Sequence, residues 1–265
     1  MRKHWITVFG LGLMLLWGGC HSLPKAVFTP EGISLRIVTY NVNMRGYAPG
    51  AADFLYEVDA DIVCLQETHD QWESYLREHL SERYPYRIFH NARGAGGISI
   101  LSKHPLRARQ VIPSEAGWFP ALYAVAETPM GDIGVLNVHL KPPLSDSGSV
   151  SAYALIDTPQ IHEKEIMEFF EALAPDIPVI VAGDLNEDDA GKACQWLQKQ
   201  GYTDSLPLFD RKSPTWIWRT KPGFVLKGRY DHIFVHRRLQ CTGAGVFTVK
   251  ASDHEPVLSV VQPGQ

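Results

Sequence analysis

The chain has 265 residues, of which 45% are hydrophobic and 20% are charged. This composition excludes a disordered or fibrous chain, and the length suffices for one large globular domain with a full hydrophobic core. The formal net charge of -4 also excludes the strongly basic surface on which non-specific nucleic-acid binding depends.

Residues 1–19 have the pattern of an export signal. Arg2 and Lys3 precede an apolar stretch at residues 5–17, which is shorter than the roughly 20 residues that span a bilayer. We expect this segment to direct the protein to the cell envelope or out of the cell, and to be absent from the mature chain.

The end of this segment resembles a bacterial lipoprotein signal, with two glycines before Cys20. Trp17 replaces the leucine usual at that place, so ordinary cleavage to a soluble periplasmic or secreted protein stays open as the alternative. His21 after Cys20 resembles the outer-membrane form of the signal. We expect a lipidated Cys20, a tether at residues 20–32 and a membrane-anchored monomer.

Strands and helices are predicted in alternation from residue 33 to residue 262, with no internal repeat, which indicates one folded domain. Strands are predicted at residues 35–41, 61–66, 86–91, 97–102, 106–112, 122–128, 132–139, 178–184, 229–236, 240–249 and 256–261. Helices are predicted at residues 50–58, 70–80, 158–173 and 190–200.

Two local signals refine these elements. The glycine-rich residues 93–97 predict a hairpin turn between two strands. Thr158 followed by Pro159 predicts a helix that starts there, with Thr158 as its N-cap and Pro159 at its first position.

A polar residue stands at the end or the start of most of the apolar strand segments. Such residues converge when their strands end at one edge of a sheet, and a convergent polar cluster predicts an active site. The candidate site residues are Asn41, Glu67, His139, Asp184, Asn186, Asp231, Asp253 and His254.

The candidate set is rich in oxygen donors. Glu67, Asp184 and Asp253 carry carboxylates, while Asn41 and Asn186 carry amide oxygens, and no sulfur ligand accompanies them. Such a set suits Mg²⁺, or Mn²⁺ as an alternative, better than zinc or copper. The natural substrate group for such a cation is a phosphate.

The remaining candidates can move protons and stabilise charge. His254 can activate water as a general base if Asp231 holds its other ring nitrogen. His139 would donate to a phosphoryl oxygen or to the leaving group, and Asn186 could add a donor to the same oxygens. His232 lies on the opposite side of its strand from Asp231, so we interpret it as structural.

A series of short motifs, in family order, resembles the endonuclease/exonuclease/phosphatase superfamily, which has the deoxyribonuclease-I-like fold. The motifs are Thr39-Tyr40-Asn41-Val42-Asn43, Leu65-Gln66-Glu67, Gly97-Ile98-Ser99-Ile100-Leu101-Ser102, Asn137-Val138-His139-Leu140, Gly183-Asp184-Leu185-Asn186, Arg229-Tyr230-Asp231-His232-Ile233-Phe234 and Ser252-Asp253-His254-Glu255-Pro256-Val257.

The resemblance covers about residues 33–261 and implies an α+β fold, a four-layer α/β/β/α sandwich of two mixed β-sheets with helices on the outer faces. It implies a divalent metal at one edge of the sandwich and hydrolysis of phosphoester bonds by water, without a covalent enzyme intermediate. Residues 33–262 would then be the catalytic domain.

Site roles also follow from the resemblance. Asn41 and Glu67 become metal-site residues, with Glu67 as the principal ligand. Asp184 and Asn186 would position the attacking water and the phosphate, and Asp253 would support the metal or the catalytic histidine.

The resemblance also covers the histidines and one departure from the family pattern. His139 corresponds to the histidine that contacts phosphate, and the pair of Asp231 and His254 would activate the nucleophile. Asn43 stands where several members have aspartate, which puts a second metal position in doubt.

Four alternatives stay open. The substrate is either nucleic acid or a lipid or small-molecule phosphoester, and a non-catalytic envelope binding module on the same fold is the alternative to an enzyme. Residues 141–157 predict either a lid or a mobile surface connection. Residues 215–219, with Lys221, Lys227 and Arg229, either stack on a ring of the substrate or pack over the sandwich edge.

Overall fold

The computed structural model describes residues 32–45, 48–145, 148–149, 152–173, 176–219 and 223–264, without the side chains of residues 152–155. The predicted export signal at residues 1–19, Cys20, the tether up to residue 31 and Lys221 lie outside the described residues. No helix among the described residues is long and apolar enough to cross a membrane.

Fourteen strands appear in the described residues. They are β1 (Leu35–Asn41), β2 (Ile62–Gln66), β3 (Tyr86–His90), β4 (Ile98–Ser102), β5 (Leu106–Ile112), β6 (Ala121–Thr128), β7 (Gly131–His139), β8 (Val179–Asp184), β9 (Tyr202–Asp204), β10 (Trp216–Arg219), β11 (Val225–Gly228), β12 (Asp231–His236), β13 (Leu239–Val246) and β14 (Val257–Pro263).

The strands form two large mixed sheets and a separate two-stranded ribbon. The first sheet has the order β13-β14-β1-β2-β4-β3, the second has the order β5-β6-β7-β8-β12-β9, and β10 pairs only with β11. The pairs β1 with β2 and β7 with β8 are parallel. The glycine-rich turn joins β3 and β4 as antiparallel neighbours, so the predicted hairpin is confirmed.

The helices are α1 (Pro49–Glu57), α2 (Asp70–His79), α3 (Ala152–Glu171), α4 (Lys192–Lys199) and α5 (Leu206–Phe209). The predicted start of the third helix was wrong: α3 begins at Ala152, and Pro159 lies inside it. A proline removes a single backbone hydrogen bond, and the residues before it include good helix formers such as Ala152 and Ala154. Part of residues 141–157, for which a lid or a mobile surface connection was predicted, is therefore helical.

Three hydrophobic cores define the layers. One core lies between the two sheets, where Ile37, Cys64 and Ile100 of the first sheet meet Val135 and Ile180 of the second. The outer faces of the sheets are covered by helices, because a sheet with two apolar faces must bury both of them. The predicted fold class, α+β with a four-layer α/β/β/α sandwich, is confirmed.

Helices α1 and α2 cover the first sheet, and helices α3 and α4 cover the second. Phe54 and Trp72 pack on the outer face of the first sheet. Phe169 and Leu197 do the same on the second sheet. The helices thus stand outside and leave the strand ends at the sandwich edge free for a site.

A buried amide pair joins the two sheets across the central core. Gln66 Nε2 donates to Asn137 Oδ1 at 2.7 Å, and Asn137 Nδ2 donates to the Leu65 and Ser99 carbonyl oxygens at 3.0 and 2.9 Å. Both amide side chains are fully buried. Because an unpaired buried amide is costly, this amide clasp fixes how the sheets align next to Glu67 and His139.

Candidate active site

The first sheet contributes a carboxylate and an amide from neighbouring parallel strands. Asn41 ends β1 and pairs in register with Gln66 of β2, after which the chain turns at Glu67. Asn41 Nδ2 donates to Glu67 Oε1 at 3.1 Å, and the Met44 N–H donates to Glu67 Oε2 at 2.7 Å. The Glu67 carboxylate is therefore held at the sandwich edge.

The second sheet contributes three side chains from adjacent strands. His139 pairs in register with Asp184 across the parallel strands β7 and β8. Asp231 pairs with the same Asp184 across the antiparallel strands β12 and β8. Strand register alone therefore brings the three side chains to one edge.

At this edge, Asp184 of the second sheet contacts Asn41 of the first. Its Oδ2 accepts a hydrogen bond from Asn41 Nδ2 at 3.0 Å. The same oxygen lies 3.5 Å from His254 Nε2 and 3.6 Å from His139 Nε2. Asp184, Asn41 and His139 are all buried, so one carboxylate oxygen gathers an amide and two imidazoles from four strands or strand ends.

His254 is oriented by a second carboxylate. Its Nδ1 lies 2.9 Å from Asp231 Oδ2, and Asp231 is fully buried. Burial disfavours the charged imidazole, but the charges of Asp231 and Asp184 outweigh it and raise the pKa of His254 to about 10. The ring therefore has one nitrogen held by Asp231 and the other directed at Asp184.

His139 is held by two contacts that side-chain patterns in the sequence did not reveal. Its Nδ1 lies 3.1 Å from the Ala95 carbonyl oxygen, and its ring stacks on Phe119 with centroids 4.6 Å apart. A carbonyl accepts from Nδ1–H and so fixes Nε2 as the nitrogen that faces Asp184. The glycine-rich turn thus supports the site as well as joining two strands.

Asn186 and Asp253 lie at the edges of this cluster. The Asn186 amide donates to the Leu140 carbonyl oxygen at 2.9 Å, and its backbone N–H donates to Asp184 Oδ1 at 2.9 Å. Asp253 Oδ1 accepts from Asn43 Nδ2 at 2.6 Å, and Asp253 Oδ2 accepts from Trp216 Nε1 at 3.3 Å. The contacts of Asp253 therefore lead to Asn43 rather than to Glu67.

Three residues of the site have left-handed backbone. Asn43 has φ 62°, Glu67 has φ 62° and Asn186 has φ 51°. Asparagine tolerates this region, but for glutamate it costs of order 1–3 kcal/mol, which persists where the surrounding structure enforces it. Glu67 is enforced by the bonds to both of its carboxylate oxygens.

Two glycines permit close backbone approaches next to the site. A Cβ on Gly97 would lie 1.6 Å from the Thr68 carbonyl oxygen, and a Cβ on Gly183 would lie 2.0 Å from the Val138 carbonyl oxygen. Gly183 directly precedes Asp184, so any side chain there would push apart the strands that place Asp184 beside His139.

The residues present fit a divalent cation. Glu67, Asp184, Asp231 and Asp253 bring four carboxylates to one edge, and among the described ion pairs only histidines face them, without lysine or arginine. Ligand atoms of Asp184, Asp231 and His254 lie within 4.8 Å of one another. Like charges this close repel unless a cation or protons offset them, and the oxygen-rich set suits Mg²⁺ or Mn²⁺.

A third histidine, His232, directly follows Asp231 and has contacts at both ring nitrogens. His232 Nδ1 lies 2.8 Å from Asp204 Oδ2, and its Nε2 lies 3.0 and 2.9 Å from the Glu187 and Arg229 carbonyl oxygens. Acceptors thus face both ring nitrogens. Burial disfavours the charged ring, but Asp204 outweighs it and raises the pKa of His232 to about 9.

A cavity of about 480 Å³ opens beside Asp253 and Asn43. Arg45, Trp218 and Lys250 line it together with small apolar residues. The carboxylate edge therefore has a neighbouring space with cationic and aromatic walls, large enough for part of a substrate.

Among solved structures, the chain is similar to D. rerio TDP2 complexed with single strand DNA product, with a TM-score of 0.71 and 19% identity over 87% of this chain and 100% of that chain. It is also similar to the 3′ phosphatase NExo from Neisseria bound to product DNA hairpin, with a TM-score of 0.64 and 17% identity over 85% of this chain and 98% of that chain.

A third similar structure is an endonuclease/exonuclease/phosphatase from Beutenbergia cavernae, with a TM-score of 0.67 and 18% identity over 87% of this chain and 72% of that chain. At these identities the likeness establishes the fold. None of the curated proteins matches the sequence. The model of the endonuclease/exonuclease/phosphatase family matches residues 38–254, so the chain belongs to that family.

Proposed function

We propose that the protein is a divalent-metal-dependent hydrolase of phosphoester bonds, with Mg²⁺ as the expected metal and Mn²⁺ as an alternative. The observation that carries this proposal is the convergence on Asp184 Oδ2, where Asn41 Nδ2 at 3.0 Å, His254 Nε2 at 3.5 Å and His139 Nε2 at 3.6 Å surround one buried oxygen. Family membership supports the same reaction class.

Glu67 and Asn41 are the residues that would hold the cation, and Asp184 would complete the site from the second sheet. A bound divalent cation would withdraw charge from a phosphoryl oxygen and would lower the pKa of His254 toward neutrality. Asp253, held by Asn43, would act from outside this set as a further source of negative charge.

His254 and Asp184 would orient and deprotonate the attacking water. The Asp231 carboxylate fixes Nδ1 of His254, so Nε2 is the atom that takes the proton. On the other side of Asp184, Nε2 of His139 would be the donor to a phosphoryl oxygen or to the leaving group, while the Ala95 carbonyl holds its Nδ1. Asn186 would contribute a further donor to the phosphate.

The similar structures bear on the substrate class. TDP2 and NExo were solved with DNA products, which supports nucleic acid as one substrate of this chain, and a lipid or small-molecule phosphoester is the second candidate. We also propose that the protein acts in the cell envelope or outside the cell, anchored through Cys20, because Arg2, Lys3 and the apolar stretch at residues 5–17 have the pattern of an export signal.

The test is hydrolysis of bis-p-nitrophenyl phosphate by the full chain with Mg²⁺, with Mn²⁺ and after chelation. We expect activity that chelation abolishes and that Asp184→Asn reduces by at least a thousandfold. Asp132→Asn is the matched control, because Asp132 lies near the start of β7, at the opposite end of that strand from His139.

Equal activity of Asp184→Asn and wild type would reject the proposed site. Metal binding without hydrolysis of this diester, of DNA or of phospholipids would favour the non-catalytic binding module. Mass spectrometry of the mature N-terminus tests the anchor, since an unmodified Cys20 would contradict it.

A further inference from the structure

The two-stranded ribbon formed by β10 and β11, together with the adjacent Phe224, has no place in the proposed chemistry; we call this segment the ribbon. It belongs to neither large sheet. Its base is tied to the active-site segment, because the Ile217 N–H donates to the Asp253 carbonyl oxygen at 2.8 Å and the Glu255 N–H donates to the Thr215 carbonyl oxygen at 2.6 Å. The ribbon therefore rises directly from the rim of the site.

Large apolar side chains are exposed along the ribbon. Trp218 is 45% exposed, Phe224 66%, Val225 41% and Leu226 38%. Single exposed apolar residues are ordinary, but four on one short ribbon are a concentration of the kind found at interaction surfaces.

The exposed residues occupy both faces of the ribbon. Cross-strand partners share a face, so Trp218 and Leu226 lie on one face, and Arg219 and Val225 lie on the other. Neither face is buried against the body of the protein at these positions. A partner that covers this surface therefore has to surround the ribbon rather than cover one side of it.

The charge of the ribbon is opposite to that of the chain. Arg219 and Lys227 are exposed, and no aspartate or glutamate occurs between residues 216 and 228, whereas the whole chain has a net charge of -4. Arg45 and Lys250, both exposed, line the cavity next to Trp218. Cationic side chains therefore occur both on the ribbon and in the wall of the cavity that Trp218 lines.

We propose that the ribbon docks the protein on the surface of an anionic phospholipid membrane, with the cavity and the active site held at the level of the headgroups. Tryptophan and basic residues are the types enriched at membrane interfaces. The transfer of apolar side chains from water to the interface lowers the free energy of the system. This inference goes beyond the proposed hydrolysis, and its test does not require turnover.

A lipid surface fits the ribbon better than the other partners. The phosphates of a nucleic acid could bind Arg219 and Lys227. A nucleic acid would make few apolar contacts with the aliphatic side chains of Val225 and Leu226. A protein partner would ordinarily cover one face only. Because a two-stranded ribbon cannot pair all of its outer backbone groups within itself, the ribbon would stay in the headgroup region and not enter the hydrocarbon core.

The test is co-sedimentation of the full chain with vesicles of phosphatidylcholine alone and of an equimolar mixture with phosphatidylglycerol. We expect wild type to favour the anionic vesicles. Phe224→Ser combined with Leu226→Ser should reduce association by about tenfold or more. Arg219→Gln combined with Lys227→Gln should remove most of the preference for anionic vesicles.

The matched control is Leu208→Ser combined with Phe209→Ser in α5, where the two side chains are 54% and 48% exposed. It should associate like wild type. The apolar N-terminal stretch is common to all of these proteins, so its contribution cancels in the ratios. Far-ultraviolet circular dichroism and the thermal midpoint verify that each variant is folded.

Equal association of wild type and the Phe224/Leu226 variant would overturn the proposal, as would an equal loss in the α5 control. Loss of binding to a single-stranded oligonucleotide, with vesicle association unchanged, would instead identify the ribbon as a nucleic-acid surface and would also overturn it. Hydrolysis of bis-p-nitrophenyl phosphate, measured on the same wild-type preparation, tests the proposed function separately.

Discussion

Two buried histidine–carboxylate pairs start from neighbouring residues of β12 and differ in one respect. Asp231 holds Nδ1 of His254, whose Nε2 points to Asp184 at 3.5 Å. His232 has Nδ1 on Asp204, but its Nε2 is taken up by two backbone carbonyl oxygens. We call Asp231 with His254 the rim pair, and Asp204 with His232 the inner pair.

The comparison teaches that pairing with a carboxylate does not by itself make a histidine catalytic. A ring whose two nitrogens both face fixed acceptors is a structural cation, with no nitrogen left for substrate. A ring with one nitrogen directed at an open carboxylate cluster can exchange a proton there. The same substitution in each pair, with activity and stability measured separately, tests this difference.

The largest effect is expected for the rim pair. His254→Gln keeps a donor for Asp231 but removes the basic nitrogen, so kcat for bis-p-nitrophenyl phosphate should fall by about a thousandfold. The substitution also leaves the buried Asp231 carboxylate without its cation, so kcat is measured per folded molecule at low temperature. Unchanged kcat would remove His254 from the proposed mechanism.

The same substitution in the inner pair should act on stability. His232→Gln leaves the buried Asp204 carboxylate without its cation, which should lower the free energy of unfolding by about 3 kcal/mol. Activity per folded molecule should stay near that of wild type. Urea unfolding and kcat measured at low temperature test the two parts, and a stable but inactive variant would contradict the distinction between the pairs.

The inner pair also predicts a pH dependence of stability. The folded protein raises the pKa of His232 from 6.5 to about 9, so the folded state binds this proton more tightly than the unfolded state. The stabilisation is therefore complete below about pH 6.5 and is lost as the pH rises through about 9. When the free energy of unfolding is measured by urea unfolding across this pH range, His232→Gln should lack this part of the pH dependence. The same pH dependence in the variant and in wild type would contradict the assignment.

The smallest effect is expected for Phe119, which stacks on His139. Phe119→Leu removes the ring that stacks on His139 at 4.6 Å, and kcat/KM should fall by about threefold to tenfold, as for the loss of one aromatic contact. Phe209→Leu, at a side chain that is 48% exposed, serves as the control and should have no effect. A loss as large as that for His254→Gln would show that Phe119 has a role beyond support.

Much of the fold and the site was predictable because the signal is local. Residues such as Asn41, His139 and Asp184 end short apolar strands, and strand ends at a common edge bring their side chains together whatever the loop lengths. The sequence pattern also predicted that Asp231 could hold His254 and that His232 would be structural. The catalytic and metal-binding roles of these residues remain predictions.

The missed features have no such local signal. The Ala95 carbonyl contact of His139 uses a backbone atom, and the Phe119 contact joins distant parts of the chain, so neither leaves a side-chain pattern. The ribbon begins with Trp216-Ile217-Trp218, where polar and apolar residues do not alternate as in a half-buried strand. Its strands also belong to neither large sheet. Pro159 misplaced the helix start because a favourable first-turn residue can also be tolerated inside a helix.

The amide clasp between Gln66 and Asn137 has a consequence for how substrates are selected. Sliding one sheet past the other would leave two buried amides without partners, so the spacing between Glu67 on one sheet and Asp184 on the other resists change. Discrimination between substrates is then expected to reside in the loops around the site, which can change without moving the residues that carry the chemistry.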